Sequence, residues 1–76
     1  MEKIKEIIQN LVDAECVIML DFLSEKKYKY LVEKVPENCF NAIVDKYPGD
    51  SINEVNEDII NKFFTEEMKK FHFMKL

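Results

Sequence analysis

The chain has 76 residues, of which 47% are hydrophobic and 34% are charged, and its net charge is −4 at pH 7. This balance predicts one folded domain over residues 1–76, and it excludes both a disordered chain and a separate catalytic domain. All eleven basic residues are lysine, which together with the acidic charge argues against direct nucleic-acid binding, and no apolar run approaches the ~20 residues of a membrane span.

The first predicted element is an amphipathic helix over residues 2–14. Its apolar residues recur at helical spacing, and polar or charged residues fill the opposite face. The apolar stripe consists of Ile4, Ile7, Ile8, Leu11 and Val12.

Two dense apolar runs come next, on either side of the polar residues 24–27. In the first run, residues 16–23, the residues at positions 17–20 are all apolar. Such a run would surround a helix on all sides, whereas a strand that is covered on both faces accommodates it. We therefore predict a strand here, followed by residues 24–27 as the turn of a β-hairpin.

The second run, residues 28–35, fits two structures. Its apolar residues alternate as on a strand, but they also recur at the spacing of a helix. Pro36 favours the strand, because proline directs the preceding Val35 towards extended geometry. The helical alternative places on one side Tyr28, Leu31, Val32 and Val35.

Two helices are predicted after the hairpin. The first begins at Pro36, which suits a first helical turn, and it ends at Pro48 and Gly49. The second begins at Ser51, which matches a capping box together with Glu54, and it ends near residue 64. The first stripe is Phe40, Ile43, Val44 and Tyr47, and the second is Ile52, Val55, Ile59, Ile60 and Phe63.

The tail, residues 70–76, is predicted as a last strand with Phe71 and Phe73 facing inward. The alternative extends the preceding helix, with Phe64, Met68 and Phe71 on one side. Exposed aromatic residues and methionine often mark contact surfaces, so self-association through Phe71, Phe73 and Met74 is a further hypothesis.

The resulting order is helix, strand, strand, helix, helix and strand. This order predicts a single small α+β domain. An all-α bundle of four helical segments is the alternative that the same pattern leaves open.

The candidates for nucleophilic or metal chemistry are Cys16, Cys39 and His72. Their spacing matches neither a thiol–histidine pair nor a zinc module, so we predict no catalytic residue, no metal and no cofactor. Both cysteines have apolar neighbours and are interpreted as small core residues. The start of the chain lacks the features of a signal peptide, and we expect a cytoplasmic protein with reduced thiols.

Residues 49–55 read Gly-Asp-Ser-Ile-Asn-Glu-Val, and this stretch resembles the attachment signature of acyl carrier proteins. The matching residues are Asp50, Ser51, Ile52 and Val55. The resemblance implies a phosphopantetheine arm on Ser51 and an acidic helix that basic enzymes recognise. Gly49 directly precedes Asp50, whereas the family's glycine stands one residue earlier, and only 25 residues follow Ser51.

An acidic surface is the second functional signal. Residues 45–67 contain seven acidic residues and two lysines. The predicted partner-binding residues share one face of the third predicted helix, and they are Asp50, Glu54, Glu57, Asp58 and Asn61. Such a face attracts a basic partner over a long range.

We therefore predict a small, non-enzymatic, intracellular protein-binding module. It would act as a regulator or inhibitor of a larger partner with a basic surface, of the kind that mobile elements or regulatory operons encode. The alternative from a different class is a carrier protein modified at Ser51.

Overall fold

The computed structural model describes residues 2–19 and 21–75, which form three α-helices and one short 3-10 helix. Helix α1 spans Glu2–Met19, α2 spans Glu25–Lys46 and α3 spans Glu57–Phe73, with the 3-10 helix Gly49–Glu54 between α2 and α3. Since these residues contain no strand, the predicted α+β class is wrong and the domain is all-helical. The observed class is that of the alternative, although the fourth helical segment is only a 3-10 helix.

The helices run up, down and up along a bundle that measures 40 × 20 × 17 Å. Lys5 Nζ lies 4.9 Å from the ring centroid of Phe40, so the start of α1 lies beside the second half of α2. The rings of Tyr30 and Phe71 stack with centroids 6.2 Å apart, so the end of α3 lies beside the start of α2. Consequently, α1 and α3 both start at the end of the bundle where α2 finishes.

The core is built from regularly spaced residues of all three α-helices. Burial of their side chains provides most of the stability of such a small domain, because each contributes about 1.5–3 kcal/mol. The buried apolar residues are Ile4, Ile8, Val12, Leu31, Val35, Cys39, Ile43, Ile60, Phe64, Met68 and Phe71. No helix in the part of the chain that the structure describes is long and apolar enough to cross a membrane.

The first predicted strand is wrong, because α1 continues through residues 15–19. In a helix the apolar run has side chains on all sides, and those that point away from the core remain exposed. Val17 is 80% exposed and Ile18 is 69% exposed, whereas Met19 packs against the core. The prediction failed because it assumed that every residue in an apolar run must be buried. Leu20, which the predicted strand included, lies outside the described residues.

The second predicted strand is also wrong, because residues 28–35 lie inside α2. Ser24 Oγ accepts a hydrogen bond from the backbone N–H of Lys27 at 3.2 Å, so the predicted hairpin turn is the N-terminal cap of a helix. The predicted start of a helix at Pro36 is wrong as well, because Pro36 lies inside α2. Proline in a helix interior removes one backbone hydrogen bond and costs ~3 kcal/mol. Burial of four side chains on the core side outweighs this cost. They are Leu31, Val35, Cys39 and Ile43.

The predicted end of this helix is confirmed, whereas the predicted tail strand is wrong. Helix α2 ends at Lys46, just before Pro48 and Gly49, and Gly49 has the positive φ of 61° that glycine adopts readily. Helix α3 continues to Phe73, and its buried residues follow the extended-helix alternative. Leu76, the last residue of the predicted strand, lies outside the described residues.

Candidate partner-binding site

The net charge of the chain is concentrated at one end of the bundle. Residues 45–58 carry five carboxylates and one lysine, so their net charge of −4 equals that of the whole chain. The rest of the sequence carries ten acidic residues and ten lysines. We call residues 45–58 the acidic end. All five of its carboxylates are exposed, and they are Asp45, Asp50, Glu54, Glu57 and Asp58.

The five residues predicted to bind a partner lie at or beside the acidic end, but they do not belong to one helix. Two lie in the 3-10 helix and three in the first two turns of α3, namely Asp50 and Glu54, then Glu57, Asp58 and Asn61. Residues 55 and 56 have extended backbones and separate the two groups. The prediction of a single helix face is therefore wrong, although all five side chains are exposed.

Local hydrogen bonds explain why α3 begins later than predicted. Ser51 Oγ donates a hydrogen bond to the carbonyl oxygen of Pro48 at 2.6 Å, so this hydroxyl closes a turn instead of capping an α-helix. Asn56 Oδ1 accepts a hydrogen bond from the backbone N–H of Ile59 at 3.0 Å and caps α3. Two carboxylates follow in the first turn of α3, where the helix dipole favours negative charge.

A groove with a mixed apolar and polar lining adjoins the acidic end. It has a volume of about 420 Å³ and lies between the start of α1, the 3-10 helix and the start of α3. We call it the α1–α3 groove. Its lining includes five apolar residues, Ile4, Ile7, Ile52, Val55 and Ile60, and four polar or charged residues, Lys3, Asn53, Asn56 and Glu57.

Sequence reasoning did not predict this groove, and no local signal could have revealed it. Its walls come from residues near the start of the chain and from residues 52–60. They meet only because α1 and α3 lie side by side and start at the same end of the bundle. The groove is thus a product of the helix arrangement.

The carboxylates of the acidic end have no ion-pair partner within residues 2–19 and 21–75. The salt bridges in that part of the chain join Glu66 to Lys69 and Glu67 to Lys70, both at 3.4 Å, near the opposite end. No salt bridge within the described residues therefore offsets the charge of the acidic end. Its field extends over roughly 8–10 Å at physiological salt and can attract cationic groups.

The two thiols lie away from the acidic end, within or near the core. Cys39 is fully buried, and burial, together with the negative charge of Glu67, raises the pKa of its thiol to about 12. Partial burial also raises the pKa of the Cys16 thiol, with smaller contributions from two neighbouring carboxylates. His72 is exposed at the end of α3. The described residues contain no group of three side chains suited to hold a metal ion.

Ser51 is the residue that the acyl-carrier resemblance would modify. It is half-buried within the 3-10 helix, and its hydroxyl is hydrogen-bonded to the carbonyl oxygen of Pro48. The resemblance implies a serine that opens an α-helix, whereas α3 begins six residues later, at Glu57. Modification at Ser51 stays a prediction, and intact mass after expression with a phosphopantetheinyl transferase tests it.

Comparisons with known proteins assign no family to this chain. No protein-family model matches it, and searches of curated proteins and of solved structures return no significant match. The functional proposal below therefore depends on charge and geometry.

Proposed function

We propose that this chain is a small, non-catalytic, intracellular binding module that docks its acidic end onto the basic surface of a larger protein. The observation that carries the proposal is the position of the net charge. A charge equal to that of the whole chain lies in residues 45–58, whose five exposed carboxylates have no ion-pair partner among the described residues and lie beside the α1–α3 groove.

The partner that fits this site is a protein segment with several lysines or arginines around one apolar side chain. The apolar side chain would enter the α1–α3 groove and contact its apolar lining residues. The basic groups would then face Glu54, Glu57 and Asp58, which lie next to the groove along the chain. Apolar contacts in the groove would add affinity, and the charges would supply fast encounter and selectivity.

Such docking gives a direct route to regulation. A basic protein surface normally attracts an acidic ligand, and a module that covers this surface competes with that ligand. Because the competition depends on exposed charges, it should weaken as salt screens them. The proposal thus describes an inhibitor or regulator that acts by occupying a surface.

A defined probe can test the site before any partner is known. The ¹⁵N-labelled chain is titrated with a synthetic peptide of alternating lysine and leucine, and a glutamate–leucine peptide serves as the control. We expect shifts confined to the acidic end and the α1–α3 groove, only with the lysine peptide, and weaker at ~0.5 M than at ~0.05 M salt. Shifts that are spread over the whole bundle would contradict the proposal.

Two variants with the same charge change show whether position matters. The test variant carries Glu54→Gln, Glu57→Gln and Asp58→Asn. The control carries Asp21→Asn, Glu25→Gln and Glu33→Gln, which are also exposed but lie away from the acidic end. Capture of proteins from an extract of the source cell should be lost with the test variant and kept with the control. Equal capture by both variants would remove the acidic end from consideration.

A further inference from the structure

The end of the bundle opposite to the acidic end exposes several large apolar side chains. We call it the apolar end, where α1 and α3 finish and α2 begins. Phe22 lies in the connection after α1, where its backbone N–H donates a hydrogen bond to the carbonyl oxygen of Met19 at 2.9 Å. The exposed side chains at this end are Val17 (80% exposed), Ile18 (69%), Phe22 (84%), Tyr28 (44%) and Phe73 (86%).

None of these side chains belongs to the buried core or to the partly buried residues packed against it. The last turn of α1 has no basic residue, although a lysine there would complement the helix dipole, and it carries Val17 and Ile18 instead. Phe73 and Phe22 are the most exposed of the group and contribute little to the core. A cluster of such residues at one end is typical of a contact surface.

We propose that the apolar end binds a second copy of this chain, so that the protein forms an end-to-end dimer. This inference does not depend on the proposed function of the acidic end. It also revises the predicted self-association surface, because Phe71 is buried and Met74 is half-buried. Of those three residues, Phe73 alone is fully available for contact.

The charge distribution favours a second copy as the occupant over a strongly charged partner. Residues 13–19, 21–30 and 66–75 carry six carboxylates and six lysines, so this end has no net charge with which to select a strongly charged partner. Two copies that meet here bring no excess of like charge together. Their acidic ends point away from each other along bundles 40 Å long, several times the Debye length of ~8–10 Å.

The geometry also favours a closed dimer over longer assemblies. In a two-fold contact each copy offers the same apolar side chains, so both patches are covered at once. A head-to-tail contact would instead leave one apolar end exposed and would continue into chains. The bundle has a cross-section of 20 × 17 Å, and the area of that cross-section is well below the roughly 800 Å² that each partner buries in a standard interface. We therefore expect a weak, concentration-dependent dimer.

Sedimentation over a range of concentrations from roughly micromolar to millimolar tests the proposal. We expect the wild-type chain to shift from monomer to dimer, to the same extent at low and high salt. A Phe22→Asn, Phe73→Gln variant should stay monomeric, whereas a Phe22→Leu, Phe73→Leu variant, which keeps apolar area, should still dimerise. Circular dichroism checks that both variants keep the helical content of the wild type.

A second measurement needs no variant. Concentration-dependent amide shifts in the wild-type chain should appear at the apolar end and be absent from the acidic end. A wild-type chain that stays monomeric throughout would overturn the proposal, whatever lipid or protein the patch binds instead. Dimers that persist in the polar variant, or shifts centred on the acidic end, would overturn it as well.

Discussion

The two ends of this bundle differ in the force by which each can act on another molecule. The acidic end holds the whole net charge in exposed carboxylates, whereas the apolar end has balanced charges and exposed valine, isoleucine and phenylalanine side chains. Charge acts at a distance and weakens with salt, but apolar burial acts only on contact and is not weakened by salt. The same three helices thus support two surfaces that one experimental variable, salt, can separate.

The largest predicted effect is a loss of stability, and it distinguishes a buried side chain at the apolar end from an exposed one. Phe71 is 1% exposed and Phe73 is 86% exposed, although only one residue lies between them. Phe71→Ala should lower the free energy of unfolding by about 3–5 kcal/mol, because it leaves a cavity in the core. Phe73→Ala should leave the unfolding free energy nearly unchanged while weakening the proposed dimer. Urea denaturation followed by circular dichroism measures the unfolding free energy of both variants. Equal losses of stability would contradict the assignment of Phe71 to the core and Phe73 to the surface.

The next largest effect is the loss of stability when a helix cap is removed at either end. Asn56 caps α3 at the acidic end and Ser24 caps α2 at the apolar end. Asn56→Ala and Ser24→Ala should each cost ~1 kcal/mol, which lowers the melting temperature by roughly 4–8 °C in a domain of this size. Ser51→Ala should cost clearly less, because Ser51 caps no α-helix. If Ser51→Ala proves the most damaging of the three, the assignment of Asn56 as the cap of α3 is wrong.

A loss of stability of similar size is expected at high pH, and it arises from Cys39 in the core between the two ends. Burial and Glu67 raise the pKa of the Cys39 thiol to about 12 from its ordinary value of 9.0, so the unfolded chain loses this proton first. Stability is therefore full below pH 9 and falls as the pH rises towards 12, with a loss on the order of 1 kcal/mol by about pH 10.

Urea denaturation at a series of pH values measures this dependence. Cys39→Ala is the matched control, because the two proteins differ only at this thiol. The alanine variant should lack the part of the pH dependence that begins near 9. Parallel pH profiles for the two proteins would show that the thiol is not held protonated by its surroundings.

The smallest effect is the loss of stability when a charge at either end of α3 is removed. Asp58 lies in the first turn of α3 and Lys70 in its last turn, so both complement the helix dipole. Asp58→Asn and Lys70→Gln should each cost about 0.3–1 kcal/mol at low salt. Lys70→Gln should cost more, because Lys70 also pairs with the buried carboxylate of Glu67 at 3.4 Å. Thermal unfolding at low and high salt measures both, and a larger loss for Asp58→Asn would contradict this ranking.

Several features of the fold were predictable from short stretches of sequence. The stripe from Ile4 to Val12 defined most of α1, and the Pro48–Gly49 pair marked the end of α2. The N-terminal cap at Ser24 was also present in the sequence, as a serine followed by an acidic residue, but it was interpreted as a hairpin turn. For the candidate site, all five predicted residues are exposed, whereas the groove beside them was not predicted.

The amino-acid sequence by itself determined the amphipathic stripes, the concentration of net charge in residues 45–58 and the turn after α2, because these depend on residue type and local spacing. The tertiary structure alone decided whether residues 16–35 form helix or strand, because their apolar pattern fits both and only the neighbouring helices determine which side chains are buried. It also decided which apolar side chains stay exposed and where the α1–α3 groove lies. Those properties depend on how α1, α2 and α3 pack, and no local pattern encodes that arrangement.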